Sequence, residues 1–148
     1  MDTVLTMLSR EQCLRLMATA PVGRIIYTRH AMPAVELVNF TIDAGDIVIR
    51  TAPGGKLLAA IRGAVVAFEA DAYDAATRSG WSVTAIGHAR EATSPAGTGT
   101  PRTTGPRPPA PGHHPCSARI TPGQLTGRYL SAADNGPAEP DAAVPPPR

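Results

Sequence analysis

Between Gly23 and Arg90 the chain carries five short β-type runs, joined by links too short for repeated helical crossovers. The runs are Gly23–Tyr27, Ala34–Ile42, Ile47–Ile49, Ala64–Ala70 and Trp81–Arg90, rich in Val, Ile, Leu and Phe. Arg29–Pro33 and Asp43-Ala44-Gly45-Asp46 read as turns, Leu57–Ile61 as a short helix or turn, and Tyr73–Gly80 as a polar connection. Parallel strands need a connection of a dozen residues or more, so this spacing predicts an antiparallel sheet that curls into a barrel. One helix precedes it. Ser9 followed by Gln12 reads as a capping box, with Leu8 and Cys13 placed for a hydrophobic staple. Leu14 and Met17 continue the apolar face, and Pro21 and Gly23 stop it. The expected class is all-β with minor α, in one domain over 8–130.

Beyond Arg90 the composition changes. Residues 92–115 hold seven prolines and four glycines with almost no large apolar side chains, which predicts a loop or disordered insertion. Ser117–Thr121 adds a sixth strand candidate, and Gly123–Leu130 a brief helical or extended return. The 131–148 tail has five prolines and no aromatic residue, so it is expected to be disordered.

Charge excludes one class of partner. Through residue 91 nine basic side chains balance nine acidic ones, and the formal net charge of the 148 residues is +2. No basic block exists and aromatic residues are few, so nucleic acid is not an expected partner. Cys13 and Cys116 alone do not make a disulfide scaffold. Met1–Leu8 contains Asp2 and no basic group, unlike a signal peptide, and no run is long enough to cross a membrane. A cytoplasmic protein is the expectation.

The chemistry concentrates in one loop. Lys56, the only lysine, ends Arg50-Thr51-Ala52-Pro53-Gly54-Gly55-Lys56, directly after a strand candidate. Two cations, a hydroxyl and a glycine pair can surround a phosphate; the same residues also make an ordinary turn. Arg50 has a competing role in pairing with Glu69, as Arg24 has with Glu36. Asp71 and Asp74 read as turn caps. Asn39, between Val38 and Phe40, needs hydrogen bonds if buried. Trp81 fits the core or an interface as well as a ligand. His113, His114 and Cys116 read as exposed loop residues rather than metal ligands. No acid–base or nucleophilic constellation stands out.

Taken in order, Ser9–Gln12, Gly23-Arg24, Val38–Phe40, Arg50–Lys56, Phe68–Asp71, Gly80–Val83, Gly87–Ala89, Arg119–Pro122 and Thr126–Arg128 resemble the pyridoxamine 5′-phosphate oxidase-like, flavin-binding split barrels. The resemblance implies a split β-barrel of the flavin-reductase type and a homodimer with two cofactor sites between its subunits. It implies FMN as cofactor, with the deazaflavin F420 as the alternative. By similarity Arg50, Thr51 and Lys56 meet the phosphate, while Val38, Asn39 and Phe40 run along the ring. Ser82 supplies a polar side chain, Trp81 closes the pocket, and Arg119 approaches from late in the sequence. The implied function is flavin- or deazaflavin-dependent oxidoreduction of a small molecule. A non-catalytic flavin-binding or sequestering protein is the alternative, and a barrel that has lost its ligand a third. The oxidases proper carry a tryptophan shortly before the late arginine; here Pro115-Cys116-Ser117-Ala118 precedes Arg119, which speaks against vitamin B6 oxidation.

Overall fold

The computed structural model describes residues 3–51, 55–93 and 116–132. The chain runs β1 (Thr3–Met7), α1 (Arg10–Met17), β2 (Val22–Arg29), β3 (Met32–Asp43), β4 (Asp46–Thr51), α2 (Lys56–Ile61), β5 (Val65–Asp74), β6 (Ser79–Thr93) and β7 (Cys116–Ala132). The strands form one antiparallel sheet in the order β1-β7-β4-β3-β2-β5-β6, and β6 also pairs with β7, closing β2 to β7 into a barrel. Closure removes two sheet edges that would otherwise expose unpaired backbone groups. β7 spans the closure: its first half lies between β4 and β6, its last residues between β1 and β6.

Local chemistry sets the tight connections. The β2–β3 turn places His30 and Ala31 at φ 51° and 63°, and the β3–β4 turn places Ala44 and Gly45 at φ 50° and 82°. Two consecutive left-handed residues match the right-handed twist of the flanking strands. Asp74 accepts hydrogen bonds from the backbone N–H of Ala76 and Thr77, capping the β5–β6 turn as expected. The capping box of α1 is complete: the Gln12 N–H donates to Ser9 Oγ, and the Ser9 N–H donates to Gln12 Oε1.

The interior is apolar. Phe40 and Phe68 meet edge-to-face, with ring centroids 4.7 Å apart, among Ile25, Ile47, Ile49, Val83 and Ile120. Gly23 is required where the Phe68 ring lies against β2, because a Cβ there would collide with it. Cys13, Leu16 and Met17 of α1 are buried, and a Cβ on Gly127 would come within 2.6 Å of Cys13 Sγ. Burial, opposed by nearby Arg10, pushes the Cys13 thiol up.

The structure corrects several expectations. Of the two conformations open to Gly123–Leu130 from sequence, the extended one is found, as part of β7. β1 was not anticipated, and with β7 reaching Ala132 it carries the folded unit past both ends of 8–130. Arg24 pairs with Glu69 and Asp71, not Glu36: the register sets Leu37 opposite Arg24 and sets Glu36 opposite Ile25, on the other face. Asp71 is therefore an ion-pair partner and not a turn cap. Glu69 is likewise unavailable to Arg50, whose strand β4 does not adjoin β5. Residues 94–115, with His113 and His114, and the 133–148 tail lie outside the described residues, as does the Cys116 side chain.

Candidate functional site

Directly opposed residues of antiparallel strands point to the same face, so the register sorts every side chain as inner or outer. Phe40, Ile42, Ile47 and Ile49 face inward. Thr41 and Val48 are therefore outward, together with Arg119, opposite Val48, and Arg90, opposite Arg119. One row along, Arg50 opposes Ser117, which opposes Ala92. Asn39 precedes the Phe40–Ile49 pair and so shares this face with Arg50. Val48 is only 5% exposed although it faces outward, so this part of the barrel wall is closely covered.

At the β3–β4 hairpin end of this face the arginines are neutralised. Arg119 donates from Nη2 to Asp43 Oδ2 at 2.9 Å and from both Nε and Nη2 to Asp46 Oδ2 at 3.3 Å. Arg90 donates to the same Asp46 oxygen at 3.1 Å and to Thr121 Oγ1 at 2.6 Å. Burial works to raise the Asp46 carboxyl, but hydrogen bonds from Thr121, Arg90 and Arg119 outweigh it and hold the group below its ordinary value. The Asp43 hydrogen bond, with Asp46 behind it, pushes Arg119 further up. This end is an ion-pair network tying the hairpin to β6 and β7.

The other end differs. Among the described residues neither Arg50 nor Lys56 has an ion-pair or side-chain hydrogen-bond partner. Lys56 is exposed as the first residue of α2, after Gly55 at its N-cap. Ala52–Gly54, the middle of the expected phosphate loop, lie outside the described residues. Thr51 is half-buried and has a partner. Sequence reasoning missed Thr41, whose Oγ1 is buried on the outer face with no hydrogen-bond partner among the described residues. The signal was available: Asn39 and Thr41 alternate with Phe40, which puts both polar side chains opposite the core.

The remaining expected site residues separate. Val38 and Phe40 turn their side chains into the barrel, so only their backbone is left for a ligand. Trp81 is 4% exposed and packs in the core, the alternative open to it from sequence; a pocket-closing role needs a side chain that reaches the surface. Ser82 faces outward, opposite Asp71 and Arg128. Along β6 it stands ten residues before Ala92 in the Arg50 row, roughly 30 Å at about 3.3 Å per residue. Ser82 and Arg50 are not brought together within one chain. No helix among the described residues is long and apolar enough to cross a membrane, and no group of His, Cys, Asp or Glu among them could hold a metal ion.

Residues 9–129 match the family model described as pyridoxamine 5′-phosphate oxidase. The chain belongs to that family. It is 40% identical over 93 residues to the uncharacterized protein Rv0080 of Mycobacterium tuberculosis, a match covering 60% of this chain and 61% of that relative's length. Among solved structures it resembles the FAD binding protein of Mycobacterium smegmatis (31% identity, TM-score 0.66), with 85% of this chain and 98% of that one covered. An FAD-binding protein of Mesorhizobium loti has the same fold (21% identity, TM-score 0.70), with 86% and 99% covered.

A second region of the outer face is apolar. Val35, Ile26, Ala67 and Ile86 stand side by side across β3, β2, β5 and β6. Val35 is 60% exposed, with Leu37 and Val65 exposed nearby. Four strands about 4.8 Å apart and one row about 6.8 Å deep give this apolar row a footprint on the order of 130 Å², and the rows on either side carry Arg24, Glu69, Thr84 and His88. In the next row Arg24 Nη1 lies 3.0 Å from both Glu69 Oε2 and Asp71 Oδ2. Burial, then the neighbouring Asp71, raise Glu69 to about 7 against the pull of Arg24.

Proposed function

We propose that the outer face around Arg50 binds the phosphate of a flavin, FMN first and the deazaflavin F420 second, for oxidoreduction of a small molecule. One observation carries this reading. Arg119, Arg90 and Arg24 on the outer surface are each ion-paired, whereas Arg50, beside Asn39, has no ion-pair partner among the described residues, and its strand leads toward Lys56, which has none among them either. A guanidinium without a carboxylate partner is open to an anion, with lysine adding a point charge.

The residues present fit such a group. The orphaned Thr41 hydroxyl lies on the same face, one alternate position from Asn39, and gains a partner if a polar ring edge covers it. Val38 and Phe40 offer backbone groups there, and Thr51 closes the strand. FAD, named for the M. smegmatis relative, contains the same riboflavin 5′-phosphate unit, so the two descriptions agree on the part that Arg50 and Lys56 would hold. The flavin supplies the electron transfer when bound; the protein's part is placement, charge and exclusion of water.

Ser82 enters this reading only from a second copy, because its own chain holds it too far from Arg50. The apolar outer face supports association. Its apolar row, with Leu37 and Val65 exposed beside it, is bordered by polar side chains, and apolar centres with polar rims are the common anatomy of interfaces. The proposed unit is a homodimer with the cofactor between subunits.

Native mass spectrometry with FMN, FAD, F420 and pyridoxal phosphate offered separately tests this. Two chains carrying two flavins are expected. A chain that retains pyridoxal phosphate and no flavin contradicts it. Turnover of bound flavin by NADPH, or of reduced F420 with an acceptor, marks an oxidoreductase; binding without turnover marks a flavin-sequestering protein.

A further inference from the structure

We propose that Glu91 is a positioning residue for the anion site: through Arg62 it holds the far end of α2, and so sets where Lys56 stands relative to Arg50. This rests on the phosphate reading above and names what keeps its two cations in place.

Two cations serve one phosphate only if both reach it at hydrogen-bond distance, and a misplacement of about 1 Å is costly. Arg50 is fixed by the sheet. Its strand pairs with β7, where Ser117 lies opposite Arg50 on one side and opposite Ala92 of β6 on the other. Ser117 Oγ also donates to the Ala92 carbonyl at 2.9 Å, so Arg50 is referenced to β6 across a single strand.

Lys56 has no such ladder. It opens a helix of six residues, too short to hold its shape without outside contacts. Gly55 supplies no side-chain cap, and α2 packs mainly against β2 and β6. Leu58 and Ile61 turn into the core, but apolar burial is non-directional and leaves a short helix free to slide. The fixing comes from its C-terminal end. The Gly63 N–H donates to the Ala89 carbonyl at 2.8 Å, and the Ala89 N–H donates to the Ala64 carbonyl at 2.9 Å. Beside this clip Arg62 Nη1 donates to Glu91 Oε2 at 3.1 Å, the only side-chain hydrogen bond that α2 or its C-cap makes among the described residues.

Glu91 and Ala92 are neighbours on β6, so one dipeptide references both cations. Ala92 reaches Arg50 through β7, and Glu91 reaches Lys56 through Arg62 and α2. Glu91 shares the inward parity of Ala89 and stands opposite buried Ala118, which turns it away from Arg90 and the ion-pair network on the outer face. Its side chain is 31% exposed against 62% for Arg62, so the carboxylate is the firmer member of the pair. Its sign matters too. A carboxylate two strands from Arg50 opposes an anion through space, so its charge and its positioning role act on phosphate binding in opposite directions.

Titration of FMN and of riboflavin into the native full chain, Glu91→Gln, Arg62→Gln and the Arg62→Glu, Glu91→Arg double variant tests this. E91Q removes a negative charge and releases a guanidinium, so through-space electrostatics alone makes FMN bind more tightly. Positioning gives the opposite sign. FMN affinity should fall about threefold to fivefold in E91Q with riboflavin unchanged, and the double variant should return to within about twofold of native. R62Q should lose as much, which keeps the test open if E91Q folds poorly. Without ligand, the Ala59 and Arg62 amides that close α2 onto Gly55 and Leu58 should exchange faster in E91Q. FMN bound by E91Q as tightly as by the native chain or more so, or a double variant no better than R62Q, overturns the positioning role and leaves the phosphate reading intact. A native chain that binds FMN no better than riboflavin overturns both.

Discussion

Arg50 and Arg119 stand in adjacent rows of one outer face, on neighbouring strands, and they are in opposite electrostatic states. Arg119 is bound by Asp43 and Asp46, and Arg90 shares the second of these. Arg50 has no carboxylate among the described residues. The difference follows from the hairpin. Asp43 and Asp46 flank the Ala44-Gly45 turn, so their carboxylates sit at the Arg119 end and do not reach down β4 to Arg50. On this face a basic side chain is thus either tied to the hairpin, as Arg119 and Arg90 are, or without a carboxylate among the described residues, as Arg50 is, according to its row. Late arginines that resemble a cofactor ligand by sequence position alone can belong to the first kind.

The largest expected effect that sharpens this contrast lies at the free end. Lys56→Ala should weaken FMN binding by about 1.5–3 kcal/mol, the usual worth of a charged hydrogen bond, and leave riboflavin nearly unchanged. Fluorescence titration of both ligands reads the difference; equal losses would remove Lys56 from the phosphate.

At the paired end the effect should fall on stability. Asp46→Ala leaves Arg119 and Arg90 without their shared acceptor and should cost about 1–2 kcal/mol in urea unfolding near neutral pH. Because the folded carboxyl lies below its ordinary value, this contribution is present above that value and disappears as pH falls through the folded one. Native and D46A stabilities should therefore converge in acid. A constant gap would show that the aspartate acts by packing alone.

Glu69 should behave in the opposite sense. Its folded value is raised to about 7, so between the ordinary carboxylate value and that point the folded chain holds a proton the unfolded chain lacks. Stability then falls as pH rises through this window. Glu69→Gln should stabilise the chain by about 1 kcal/mol near pH 8 and change little near pH 4, as read from thermal unfolding.

The smallest effect concerns Thr41. Removing its unpartnered hydroxyl in Thr41→Val should leave the ligand-free chain as stable as before or slightly more so, yet cost about 0.5–1 kcal/mol of flavin affinity. Unchanged affinity would place the ring elsewhere on the face.

The barrel was readable because its signals are local. The capping box at Ser9 and Gln12, the turn at Asp43–Asp46 and the short links between β runs each declare themselves within a few residues. β7 was harder. Thr121-Pro122-Gly123 reads as a break, but Pro122 falls opposite Gly87 at the register shift between β6 and β7, where a strand tolerates proline. β1 is a short edge strand that leaves Val4, Leu5 and Met7 exposed, so it shows no buried alternation. The family resemblance was readable too, and its landmarks from Ser9 to Arg128 fall within residues 9–129, the span that matches the family model. Pairings depended on register, which sequence does not display: Glu36 and Leu37 are adjacent in sequence, yet only one lies opposite Arg24. The distance from Ser82 to Arg50 depends on which strands close the barrel.

Calorimetric titration of FMN and of riboflavin into the native, Arg50→Ala and Arg119→Ala chains tests the division of this face most directly. Loss of FMN affinity by about 2–3 kcal/mol in R50A, with riboflavin spared and with R119A close to native, is the predicted result. An R119A chain that loses FMN while R50A keeps it would contradict the assignment of the free cation as the anion site.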